Sequence, residues 1–146
     1  MTVTRLREDG TASWTSAAQL LDEYRQHYGA NPAPEAVTAW LREQVEAART
    51  RVYLAGPAEG ICTVAVVPAA LTLRTVWLVR DLYVRPEARR RGVARALLAA
   101  VAEEALASGA HRLSLQTESA NVQAIELYGR IGFEPLAEVT LMDNVL

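Results

Sequence analysis

The sequence contains no lysine; all 15 of its basic residues are arginine. That absence excludes a lysine Schiff base and a phosphate-binding loop of the Walker type, both of which need the amine. Cysteine is almost absent too. Cys62 stands alone, so neither an intrachain disulfide nor a cysteine metal cluster can form. It lies in the apolar run 61–67 and reads as a small core residue, not a nucleophile. The two histidines, His27 and His111, are far apart with no ligand spacing, so no metal is expected. No apolar run is long enough to span a membrane; the longest, 61–71, is interrupted by Pro68. The N-terminus is polar at Thr2, Thr4, Arg5 and Arg7 and lacks a signal-peptide core. There is no excess of positive charge either: the formal net charge is −2, which argues against a nucleic-acid partner. The expectation is a cytoplasmic protein of one domain over residues 1–146, with neither membrane nor nucleic acid as partner. At 51% hydrophobic the chain can build a real core.

What is present is concentrated in residues 79–100. Residues 79–84 are apolar or β-branched except for Arg80 and Asp81, which suits a largely buried strand ended by Pro86. From Ala94 the apolar positions Ala94, Leu97, Leu98, Val101 and Ala105 form one face of a helix. Between them lies Arg89-Arg90-Arg91-Gly92-Val93-Ala94. A turn entering a helix presents unpaired N–H groups and the positive end of the helix dipole. Gly92 lets a ligand come close, and the arginines add bidentate phosphate donors. The pattern points to an anion site, most simply for a pyrophosphate. Alone it also fits a surface loop that turns at Gly92 with solvated arginines.

Around this stretch the elements follow in order. Residues 2–7 alternate as a first strand, stopped by Glu8-Asp9-Gly10. Ser13 or Ser16 can cap a helix to about Tyr28, and a second begins near Pro34 with Val37, Trp40, Leu41, Val45 and Ala48 on its apolar face. Residues 51–55 and 61–67 read as a hairpin, 68–73 as a connection, and 74–84 as a long central strand. Gly109 stops the next helix, 111–117 is a strand, 121–131 a short helix closed by Gly132, and 133–136 and 139–142 are candidate final strands. The fold class is α/β (α+β), a mixed sheet of six to seven strands with four helices. A doubly wound nucleotide fold fits poorly, because hairpin strands precede the key turn.

Two motifs in this order resemble those of the GCN5-related N-acetyltransferase (GNAT) superfamily. Val84-x-Pro86-Glu87 followed by Arg89-x-x-Gly92-x-Ala94 is similar to its acetyl-CoA pyrophosphate loop. Asn121-x-x-Ala124-x-x-Leu127-Tyr128, then Gly132-Phe133, is similar to its later signature. The resemblance implies an acetyl-CoA-dependent N-acyltransferase acting on a primary amine, with the fourth and fifth strands splayed in a V. It assigns the pantetheine to Leu82, Tyr83 and Val84. The pyrophosphate falls to Arg89, Arg90, Arg91, Gly92, Val93, Ala94 and Arg95. Asn121 is an N-cap by its own chemistry and a cofactor contact by the resemblance. Arg90 departs from the pattern, since many members carry glycine there. The turn must hold it without positive φ or under strain.

The implied chemistry is direct attack of a neutral amine on the thioester, with backbone N–H groups near Leu82 and Tyr83 facing the oxyanion and Tyr128 donating a proton to the leaving sulfur. Without the resemblance, Tyr128 reads first as a core tyrosine at helical spacing from Ala124 and Ile125. Two carboxylates are candidate bases. Asp81 is either a base or a partner of Arg80, Arg112 or backbone amides. Glu118 is either a base or a loop carboxylate. The first two helices and their connection should line the acceptor pocket, with Trp14, His27, Tyr28 and Trp40 as possible walls. A small-molecule amine is the favoured acceptor. The alternatives are a protein N-terminus or lysine, a non-catalytic CoA-binding module, or a role centred on a homodimer interface.

Overall fold

The computed structural model describes residues 1–7 and 11–146, so the expected stop at Glu8, Asp9 and Gly10 lies outside the described residues. These residues form two compact units, Met1–Gln116 and Thr117–Leu146. The first holds β1 (Val3–Arg5), α1 (Thr11–His27), α2 (Pro34–Glu46), β2 (Arg51–Ala55), β3 (Gly60–Ala69), β4 (Arg74–Val84), α3 (Val93–Ala107) and β5 (Arg112–Leu115). The second holds α4 (Val122–Ile131). The strands lie in the order β1-β2-β3-β4-β5, antiparallel except for the parallel β4–β5 pair.

The described residues therefore build a five-stranded mixed sheet with four α-helices, not six or seven strands. Residues 133–136 and 139–142 join no ladder. Pro135 lacks a donor, and the backbone closes a local turn instead, Val139 N–H to Leu136 O at 3.2 Å. Three boundaries also differ from expectation. Helix α1 begins at Thr11, so Ser13 and Ser16 lie inside it and cap nothing. Strand β3 runs through Pro68 to Ala69. It can do so because β2 pairs only as far as Val64, leaving the rest of β3 an edge where proline removes no ladder bond. Strand β5 is shorter than 111–117.

Two layers cover the sheet. On one face α1 and α2 bury Trp14, Leu20, Leu21, Val37 and Leu41 against Leu6, Val52, Leu54, Ile61 and Tyr83. On the other, α3 buries Val93, Leu97, Leu98, Val101 and Ala105, a three–four spacing that makes one stripe. Each fully buried Leu or Val there contributes about 1.5–3 kcal/mol. Gly60 permits the close approach: a Cβ on it would sit 2.8 Å from Val93 Cγ1 and 3.0 Å from Tyr83 O.

Polar groups pin both layers. Glu104 of α3 accepts from Arg5 Nη1 at 2.6 Å and from the Tyr53 hydroxyl, with Arg51 at 3.5 Å. Burial would raise the Glu104 pKa, but the Tyr53 and Arg5 hydrogen bonds outweigh it and hold the carboxyl below its ordinary range. Arg51 also lies over the Trp77 ring, 4.6 Å from its centroid. On the α1–α2 side, buried Asp22 accepts Ala33 N–H at 3.0 Å and Arg25 Nη1 at 3.0 Å, fixing the connection between the helices.

The β3–β4 ladder slips once. Thr63 pairs with Asp81 and Val64 with Val79, so Arg80 is an extra, bulged residue. A one-residue slip exchanges the faces of everything beyond it. Trp77 lies on the α3 side with Arg51, whereas Tyr83, six residues on, belongs to the α1–α2 core. An unbulged strand would put both on one face.

Gly60→Ala is expected to lower the unfolding free energy by about 1–3 kcal/mol, read from urea denaturation, because the added methyl overlaps α3 and the β4 backbone. An unchanged midpoint would mean that β3 and α3 approach less closely.

Candidate functional site

The site begins where the β4–β5 pairing ends. That ladder joins Val76 to Arg112 through Val79 to Leu115. Strand β4 continues to Val84, paired only with β3. Among the described residues, 80–84 thus have no partner strand on the β5 side, and the bulge at Arg80 sits at the parting point. Leu82, Tyr83 and Val84 lie on this open edge. Arg85 then closes the strand, its Nε and Nη2 donating to both Glu23 oxygens at 3.0 and 2.8 Å.

A 3₁₀ turn, Pro86–Ala88, leads into α3. Arg90 has φ +64°, so the strained alternative is the one adopted, at a cost of about 1–2 kcal/mol for a residue with a Cβ. Gly92 has φ +77° without that cost. The first helical bond is Ala96 N–H to Gly92 O at 2.9 Å. Among the described residues, the N–H groups of Arg90, Arg91, Gly92, Val93, Ala94 and Arg95 donate to no backbone carbonyl. Turns with left-handed residues direct successive N–H groups into anion-binding concavities, here at the positive end of α3. A Cβ on Gly92 would meet nothing within 4 Å. Arg89 reaches back, Nε to Val84 O at 3.0 Å, and Arg91 lies 3.5 Å from Glu59, while Arg90 is exposed. These groups fit a phosphate-bearing ligand such as CoA.

On the α1–α2 side, the bulge presents Asp81 to a cavity of about 410 Å³. Helix α1 lines it with Leu21, Tyr24 and Arg25, and Val37 and Trp40 of α2 complete the wall. Asp81 accepts from Thr63 Oγ1, whose residue is buried, and shares the cavity lining with Tyr24. Its side-chain partner is therefore a hydroxyl; among the described residues it makes no ion pair with Arg80 or Arg112. Burial, then the charge of Asp81, pushes the Tyr24 phenol up to about 12. Burial also raises the Cys62 thiol to about 12, which makes it inert and agrees with its reading as core.

Of the expected cavity walls, only Trp40 lines it. Trp14 is buried in the core with Arg42 stacked on its ring, and His27 and Tyr28 are exposed. Sequence reasoning missed Thr63, Tyr24 and Arg25. The available signal was the pair Arg80–Asp81: two consecutive charged residues break strand alternation, as a bulge does.

In the second unit, Asn121 caps α4, its Oδ1 accepting Ala124 N–H at 3.2 Å. Helix α4 ends at Gly132, φ +114°, with Gly132 N–H to Gly129 O at 3.2 Å and Phe133 N–H to Tyr128 O at 3.0 Å. This is a Schellman close, and its hydrophobic contact is Phe133 on Tyr128, with ring centroids 6.1 Å apart. The Gly132-Phe133 signature thus fixes the Tyr128 ring within α4. Glu118 is exposed ahead of α4, its carbonyl accepting Asn121 N–H at 2.9 Å. Among the described residues no group of three His, Cys, Asp or Glu side chains comes together to hold a metal, and no helix is long and apolar enough to cross a membrane.

Comparison with known proteins bears on this geometry. Residues 14–133 match the model of the acetyltransferase (GNAT) family. An uncharacterized N-acetyltransferase of Bacillus subtilis (strain 168), YhfO, is 28% identical over 132 residues, covering 88% of this chain and 89% of its own. The thialysine N-epsilon-acetyltransferase of Bos taurus is 37% identical over 65 residues, 44% of this chain and 38% of its own. The crystal structure of a probable acetyltransferase superposes with a TM-score of 0.91 at 27% identity, covering 100% of this chain and 98% of that one.

Two outcomes test the site. Arg90→Gly should raise stability by up to about 1 kcal/mol in urea unfolding, because relief of the left-handed strain slightly exceeds the added unfolded-state entropy. Alkaline titration tests Tyr24. An unfolded phenol ionises near its ordinary value of 10.0 and the native one near 12. The native state therefore holds the extra proton between those values, and stability falls as pH rises through that window. Tyr24→Phe should lessen the fall; an identical alkaline decline would refute the raised pKa.

Proposed function

This chain belongs to the GNAT family of acetyltransferases, and on that footing we propose that it transfers an acetyl group from acetyl-CoA to the primary amine of a small molecule, by direct attack in a ternary complex. One observation carries the proposal. An N–H cradle at the start of α3 and a carboxylate-bearing cavity meet the same strand, β4, where its edge is open. The cavity volume supports a small acceptor, since it lies in the range of ordinary ligand pockets. The bovine relative, named for a thialysine nitrogen, supports the same class.

Acetyl-CoA supplies the activated carbonyl. The residues that would hold it are Leu82, Tyr83 and Val84 through their backbone, and residues 89–95 through N–H groups and guanidiniums, with Asn121 as a further contact. Backbone N–H groups near Leu82 and Tyr83 are donors for charge developing on the carbonyl oxygen. Asp81 receives the amine as an ammonium and takes up its proton, directly or through water. Thr63 orients that carboxylate while leaving lone pairs for the amine. Tyr128 donates the proton of its phenol hydroxyl to the departing sulfur. Glu118 is the second candidate base. The partners are acetyl-CoA and the amine; a homodimer is compatible with this reading but not required by it.

An amine panel followed by thiol release from acetyl-CoA tests the proposal. Asp81→Asn and Tyr128→Phe should each lower kcat by about 10²–10⁴-fold while acetyl-CoA binding persists. Unchanged turnover in Tyr128→Phe would remove it as the acid, and unchanged turnover in Asp81→Asn would transfer the base to Glu118 or water. No thiol release with any amine would leave a CoA-binding module.

A further inference from the structure

We infer that the cavity bounded by α1, α2 and Asp81 takes an amino-carboxylate: a small molecule with a primary ammonium at one end and a carboxylate at the other. The inference rests on the acetyltransferase reading and names its acceptor class. The cavity carries one group of each sign, Asp81 and Arg25. The hydrogen-bond partner of Asp81 is the neutral Thr63 hydroxyl, and among the described residues it makes no ion pair with the protein. A carboxylate has about four lone-pair sites, and one hydroxyl leaves room for an ammonium.

Arg25 is held by one nitrogen. Its Nη1 donates to Asp22 Oδ1 at 3.0 Å and to Asn31 O at 3.2 Å. Among the described residues, its Nε–H and Nη2–H edge donates to no protein acceptor, and that edge is the one that grips a carboxylate by two parallel bonds. Asp22 and Asn31 keep the guanidinium from swinging away, which lowers the entropic cost of using it. The same lining includes apolar Leu21 and Val37, and the Trp40 side chain, 48% exposed. An exposed tryptophan at a cavity mouth is well placed to cover a carbon chain. Asp81 alone would admit any amine and Arg25 alone any anion; together in one cavity they select a molecule carrying both.

Calorimetric binding in the presence of CoA tests this without turnover. The probes are ε-aminocaproate and γ-aminobutyrate, set against hexylamine, butylamine and the methyl ester of ε-aminocaproate. At least one amino-carboxylate should bind about tenfold or more tightly than its partner amine, and the ester should lose that gain. Arg25→Gln should abolish the preference and leave hexylamine binding within about twofold. Equal binding of acid and amine, no binding of either, or a preference that survives Arg25→Gln would overturn the inference. Should Arg25→Gln lose the fold, the ester comparison on the unaltered protein decides alone. Preferential binding without acetyl transfer would contradict the proposed activity and leave this assignment standing; transfer without preference would contradict this assignment alone.

Discussion

A single unpaired residue, Arg80, decides which way the second half of β4 faces. Strand periodicity is two, so inserting one residue carries Asp81 and Tyr83 from the α3 face to the α1–α2 face. Without the slip, Asp81 would be turned toward the apolar stripe of α3, where an ionised carboxylate costs several kcal/mol. With it, Asp81 meets Thr63 across the ladder and Tyr24 from the helix. The slip also falls where β5 leaves β4, so one local irregularity both aims the acid and marks the start of the open edge.

The two ends of that edge are built differently. At the α3 end the chain accepts backbone strain: Arg90 occupies a left-handed conformation, and the N–H groups beside it are left for an anion. Beside the cavity a buried carboxylate is satisfied instead. Asp22 is buried, but it accepts both a guanidinium and a backbone N–H, which fixes the α1–α2 connection. The two aspartates on this face of the sheet are thus partnered differently. Asp22 has a cationic partner in Arg25, whereas Asp81 has a neutral one in Thr63.

Much of this was legible in the sequence. The order of elements through α4, the stripe on α3, the N-cap at Asn121 and the turn before α3 all follow from apolar spacing and from Gly, Pro and Asn at positions with one physical use. The final strands were overcounted, because an apolar alternation at 133–142 predicts pairing without supplying a partner, and Pro135 weighs against it. Pro68 misled in the other direction, since only the register of β2 reveals that this half of β3 is an edge. The cavity was half legible. Trp40 was expected, but Tyr24, Arg25 and Thr63 become neighbours of Asp81 only through the bulge and the packing of α1, which single-strand reasoning does not contain.

The central claim is that the open edge of β4 and the turn before α3 together receive the acyl donor. Amide hydrogen exchange, followed with and without acetyl-CoA, reads both segments at once. Exchange at residues 82–84 and 90–95 should slow when acetyl-CoA is added, while the β2 amides, already paired on both sides, stay as they were. Exchange that remains unchanged at both segments, under saturating acetyl-CoA, would contradict the account.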